Sequence, residues 1–192
     1  SASLNVSPSF LEDHVQLELN SRFVHTDNFF TDQGAIWASA QFDPTKPILS
    51  GDTAYGGYYE TLFAAGGNAG RPIPLAIRNP LGLIEQKEDV SDVNRFIGNA
   101  RVTYNTHFLD GLKAVVNVGT DMVNSNGTVL IPHTAASNFQ NGGYQTQYDM
   151  EKSNQLIEGF LNYSNADQGG DHRLDLTAGY SFQEWSTMSP SY

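Results

Sequence analysis

The 192 residues contain no cysteine, so no disulfide or thiolate metal site supports the fold. Charged residues are scarce at 16%, and the ten Lys and Arg are scattered in a chain of net charge -11. Without a basic cluster there is no electrostatic footprint for phosphate, which excludes a nucleic-acid binder. No run approaches eighteen apolar residues, so a transmembrane helix is excluded; a membrane-crossing β-strand leaves no such run and is not. The opening SASLNV has neither the charged start nor the apolar core of a secretory leader.

Catalytic and metal-binding patterns are equally sparse. The histidines at 14, 25, 107, 133 and 172 lack metal-ligand spacing, and no G-x-S-x-G elbow is present. DQGGD (Asp167 to Asp171) departs from the EF-hand loop and is read as a turn. These absences predict no enzyme, no cofactor and no metal. His14, His107 and His172 fall on polar faces beside short turns, where solvation accounts for them.

What the chain does have is Asn, Gln, Ser, Thr, 18 Gly, 11 Phe and 9 Tyr, a β-rich composition. Its clearest segment is Asn94 to Met122. Phe96, Gly98, Ala100, Val102 and Tyr104 share one face of a strand, with Asn99, Arg101, Thr103, Asn105 and His107 on the other. After the Asp110-Gly111 turn, Leu112, Ala114, Val116, Val118 and Thr120 alternate with Lys113, Asn117 and Asp121. Each strand is about ten residues, enough for a tilted strand to cross a bilayer. Globular strands usually stop near five or six.

The same alternation predicts strands near 1–7, 14–26, 94–107, 112–123, 154–164 and 172–185, with Pro8 ending the first. A short turn, PSFLED, joins the first two. Long loops are predicted over 27–93 and 124–153, the first carrying a short helix in TDQGAIWASAQF capped by Thr31 or Asp32. Short turns near Ser9, Asp110 and Gln168 alternate strictly with these long loops. In an up-and-down meander all short turns then lie at one end, as in outer-membrane barrels.

An Arg or Lys facing lipid at mid-membrane costs roughly 2 to 4 kcal/mol. With the fifth strand phased on Ile157, no apolar face of the full strands carries a charge; phasing on Leu156 would turn Glu158 outward. Aromatics mark both ends, Phe23, Phe96 and Phe182 near the long loops and Tyr104 and Tyr163 near the short turns. The fold class predicted is all-β: an antiparallel up-and-down section of a large transmembrane β-barrel, about six strands, with two long extracellular loops and a short loop helix. The alternative is a secreted carbohydrate-binding β-sandwich, in which the apolar faces would be pressed together.

Several motifs also resemble a known family. NPLGLIEQ (Asn79 to Gln86), NRFIGN, FLDGLK and NVGTD are similar to consecutive barrel segments of SusC/RagA-type TonB-dependent outer-membrane transporters of Bacteroidetes. GAIWASAQFDPTKP (Gly34 to Pro47) resembles a loop segment of that family, and NQLIEGFLNYS with LDLTAGYSFQ its next hairpin. The resemblance implies an interior section of a barrel of about 22 strands, in the outer membrane of a Gram-negative cell. It also implies import of glycans or peptides beneath a SusD-like surface lipoprotein. TonB would act through an N-terminal part that these residues do not include, and no plug domain is present. From the residues themselves, Trp37, Tyr55, Tyr58, Tyr59 and Phe63 in the first long loop are the candidate contacts for substrate or partner, because sugar rings pack on aromatic faces.

Overall fold

The computed structural model describes residues 1–51, 53–165 and 173–190. They form two compact units, one of residues 1–26, 93–125 and 149–190, the other of 27–92 and 126–148. The predicted turn around Gln168, the DQGGD segment and His172 lie outside the described residues.

A single antiparallel sheet is built from β1 (Ala2–Val6), β2 (Ser9–Phe10), β3 (Val15–Phe29), β4 (Glu88–Asn105), β5 (Leu112–Ile131), β6 (Tyr144–Ser164) and β7 (Asp175–Met188). The first unit holds its larger part, in one layer, and the ends of β3, β4, β5 and β6 that lie in 27–92 and 126–148 belong to the second. Apart from β2, neighbours in sequence are neighbours in space, in the order β1-β3-β4-β5-β6-β7. β1 ends at Val6, just before Pro8, and the pairing resumes beyond the proline in β2. Val6 pairs with Leu19, Ser9 with Gln16, and the Pro8 carbonyl still accepts from Leu17 N at 3.0 Å. The register passes through unbroken because proline removes only a donor, which an edge strand tolerates. The turn therefore narrows to residues 11–14, where Leu11, Glu12 and Asp13 all take positive φ.

The strands also run beyond their predicted bounds, β4 starting at Glu88, β5 ending at Ile131 and β6 starting at Tyr144. In those extensions the apolar residues stop alternating cleanly, with Val90 and Val93 of opposite parity and Val129, Leu130 and Ile131 consecutive, so the period-2 signal fades although the backbone ladder continues. β4 stops at Asn105, which leaves His107 in the turn, where its Nδ1 is 2.7 Å from the Tyr104 hydroxyl. His14 Nδ1 donates to the Asn105 carbonyl across the same end of the sheet, at 2.9 Å. The β4–β5 turn needs Gly111: its φ is +85°, and a Cβ there would stand 2.0 Å from the Ser164 carbonyl oxygen. Any other residue would be strained and would collide with backbone.

The two faces of this sheet differ as the alternation predicts. Ile157 opposes Phe182, Gly159 opposes Tyr180, Leu161 opposes Ala178 and Tyr163 opposes Leu176, which phases β6 on Ile157. Glu158 accordingly lies on the polar face. There Asn99 Nδ2 donates to Asn117 Oδ1 at 2.7 Å, Asn117 Nδ2 donates to Glu158 Oε2 at 3.0 Å, and Ser181 Oγ donates to Glu158 Oε1 at 3.3 Å. Arg95 grips Asp121 with two hydrogen bonds, 2.9 and 2.6 Å. Polar side chains thus satisfy one another from strand to strand.

Nothing covers the apolar face among the described residues: Val116 is 48% exposed, Leu161 52% and Tyr180 75%. Among the described residues of this unit, Val115 is the buried apolar one. A water-soluble sandwich would bury that face against a second sheet, and this unit has one layer. From Phe96 to Tyr104, at ~3.3 Å per residue and a tilt of ~40°, the apolar band rises roughly 20 Å, close to the ~25 Å outward band of transmembrane barrels.

Candidate functional site

The second unit holds the predicted loop residues, and it is not structureless. α1 (Gly34–Gln41) packs against α2 (Pro80–Glu85). The cap of α1 differs from expectation. Gln33 is the N-cap residue and makes no side-chain bond, while Asp32 Oδ1 accepts from Gly34 N at 2.8 Å. Between the helices the chain makes two bridges, Leu49 to Tyr58 and Leu62 to Pro72.

These pieces converge on Asn79, which is fully buried. Its Oδ1 accepts from Leu81 N and Gly82 N, capping α2, with Pro80 in the first helical turn. Its Nδ2 donates to the carbonyls of Ile48, at 2.7 Å, and Tyr59, at 3.3 Å. Its own N–H donates to Glu60 Oε1 at 3.1 Å. One side chain therefore starts a helix and holds two turns of loop. The Asn-Pro pair was visible in the sequence as part of a family-like motif, but the helix it starts was not predicted, and its loop partners lie 20 and 31 residues away in sequence.

Around this hub Tyr55, Tyr58, Tyr59, Glu60 and Ser50 line one cavity of about 330 Å³. The Tyr58 hydroxyl donates to Glu85, and the Tyr55 hydroxyl donates to the Gly70 carbonyl at 2.8 Å. The hydrogen bond to Glu85 is the main reason the Tyr58 phenol is held above its ordinary pKa. Tyr59 meets Phe42 edge-on at 6.3 Å, with Lys46 Nζ 5.9 Å from its ring centre. Two of the three hydroxyls are thus spent on holding the loop, and the rings are what the cavity offers. Phe63 lines a separate cavity with Phe139. Trp37 sits on α1, 73% exposed, and lines neither.

Glu60 is nearly inaccessible, and burial pushes its carboxyl above the ordinary range; the Asn79 N–H and Arg78, 3.5 Å away, pull the other way but less. The sign follows from linkage: a carboxyl with a raised folded-state pKa binds its proton more tightly in the folded loop than in the unfolded one. The loop gains stability as pH falls through the raised pKa towards the ordinary carboxylate value, and loses it as pH rises. The protection of residues 47–86, taken relative to the intrinsic exchange rate at each pH, is expected to rise as pH falls through the raised Glu60 pKa. Glu60→Gln keeps an oxygen to accept from Asn79 and should flatten that dependence. An unchanged slope in the variant would mean another group sets it.

No family model matches the chain. It is 32% identical over 158 residues to the TonB-dependent receptor SusC of Bacteroides thetaiotaomicron, an alignment covering 77% of this chain and 16% of that receptor. The match joins the one-layer sheet with an uncharged outer face in a single explanation. The chain belongs to the SusC-type TonB-dependent receptors. Its sheet is accordingly a section of antiparallel barrel wall, and the family is one of outer-membrane transporters. The chain spans about a sixth of that SusC relative's length.

Proposed function

We propose that this chain forms part of the wall and the extracellular loops of an outer-membrane importer, with the apolar face of β3 to β7 against lipid and the Asn99-Asn117-Glu158 face towards the lumen. The predicted division, strands as membrane wall and long connections as cell-surface loops, belongs to this reading. So does location in the outer membrane of a Bacteroidetes-like Gram-negative cell. The cargo class is glycan, and the rings of Tyr55, Tyr58 and Tyr59 serve as its packing surface. Trp37 and Phe63 extend the contact surface to substrate or to a SusD-like lipoprotein, and TonB supplies the energy through another part of the receptor.

One observation carries the membrane reading: a charge-free apolar band that stays half-exposed across the sheet while the opposite face is laced with polar hydrogen bonds. The absence of cysteine makes the test simple. Single cysteines at Val116, Asn117, Val118 and Leu161 in the membrane-inserted protein would each carry an environment-sensitive fluorophore. Positions 116, 118 and 161 should be quenched by brominated lipid and 117 by an aqueous quencher. Uniform aqueous quenching at all four would refute the orientation.

A further inference from the structure

We propose that the cavity between Phe63 and Phe139 is a subsite for an acidic sugar, with Arg71 as the group that reads the carboxylate. The cavity, about 520 Å³, is lined by Phe63, Asn68, Arg71, Pro72, Phe139 and Gln140 among others. It is separate from the tyrosine cavity and deepens the glycan reading, on which it rests.

The argument begins with the cations of the second unit. Arg78 faces Glu60, Lys87 faces Asp89 at 3.0 Å, and Lys46 stands over the Tyr59 ring. Arg71 has no carboxylate, carbonyl or ring partner for its guanidinium among the described residues. Among the described residues of this unit, Arg71 is thus the cation that lines a cavity with its guanidinium unengaged, and it is available there to a ligand. Guanidinium presents a planar fork that fits a carboxylate with two parallel hydrogen bonds. The side-chain amides of Asn68 and Gln140 at the same cavity also have no protein partner among the described residues, and each can donate to one hydroxyl and accept from another. Phe63 and Phe139, both half-buried, supply the apolar faces on which a pyranose ring packs.

The cavity is also built rather than incidental. Phe63 N donates to the Arg71 carbonyl at 3.0 Å and Gly70 N to the Phe63 carbonyl at 2.9 Å, so Phe63 and Arg71 sit opposite one another in a small hairpin. Tyr55 ties that hairpin to the second long loop: its hydroxyl holds Gly70, and its ring meets Phe139 edge-on at 5.2 Å. Tyr55 is in this respect a positioning residue for the subsite.

The test titrates the purified full-length protein in detergent with a uronic acid trisaccharide, its neutral twin of the same linkage, and an acidic tripeptide. The uronate is expected to bind about tenfold more tightly than the neutral sugar, with the preference shrinking at high salt. Arg71→Gln should equalise the two sugars, and Arg71→Lys should keep part of the preference. Arg71 is exposed, so neither change disturbs packing. Equal affinity for both sugars in the native protein overturns the acidic subsite and leaves glycan binding standing. An unaltered uronate preference in Arg71→Gln overturns the role of Arg71. Tighter binding of the tripeptide overturns the sugar as occupant, and no binding of either sugar removes the glycan reading as well.

Discussion

Val118→Arg is expected to lower the yield of assembled, membrane-inserted protein severely, while Thr103→Arg is expected to leave it nearly intact. Val118 lies midway along the apolar face of β5, 46% exposed, beside Phe96, Gly98 and Ala100 around one shallow groove. A guanidinium there faces hydrocarbon, at roughly 2 to 4 kcal/mol near the midplane. At 1.4 kcal/mol per decade that is roughly 30- to 1,000-fold in the folding equilibrium. Thr103 points to the polar face of β4, next in parity to Arg101, so the same charge there meets water and polar side chains. Denaturant unfolding in lipid vesicles measures both. Similar losses for the two variants would show that the faces do not differ in environment.

The second large effect is expected at Asn79. Asn79→Ala removes the helix cap, about 1 kcal/mol, and two partly buried hydrogen bonds to the Ile48 and Tyr59 carbonyls, about 0.5–1.5 kcal/mol each. A loss of roughly 2–4 kcal/mol confined to the loop should follow from these two contributions. Residues 47–86 should exchange hydrogen much faster while β3 to β7 remain protected. Neutral-sugar affinity should fall in parallel, since Tyr59 and Glu60 lose their anchor. Asn79→Asp separates the contributions: the carboxylate keeps the cap but cannot donate to either carbonyl, and it brings a second acid beside Glu60. Protection equal to native in Asn79→Ala would mean that the loop is held elsewhere.

How far these features were legible depends on periodicity. The hairpin of β4 and β5 and the phase of β6 followed from alternation, because each side chain's face is set by parity alone. Where apolar and polar residues no longer alternate the same ladder continued unseen, as in residues 88–93 and 124–131. Pro8 marks the end of β1, but the return of the same register in β2 was not legible, because it rests on the Pro8 carbonyl, which still accepts from Leu17. The five aromatic residues of the first long loop were recognisable as a group, but their division was not. Tyr55, Tyr58 and Tyr59 share one cavity, Phe63 belongs with Phe139 and Arg71 in another, and Trp37 belongs to neither.

By itself the sequence determined that this chain makes long β-strands with one face free of charge and one face polar, joined alternately by short turns and long loops. A two-residue repeat writes that information locally, and no distant partner is needed to read it. Only the tertiary structure decided that the long loop is organised on Asn79, that burial sets the Glu60 carboxyl apart, and that Arg71 is left without an acid. Those outcomes depend on hydrogen bonds and burial between residues of no common period, far apart in the chain, and such contacts exist only once the backbone has brought their atoms within reach.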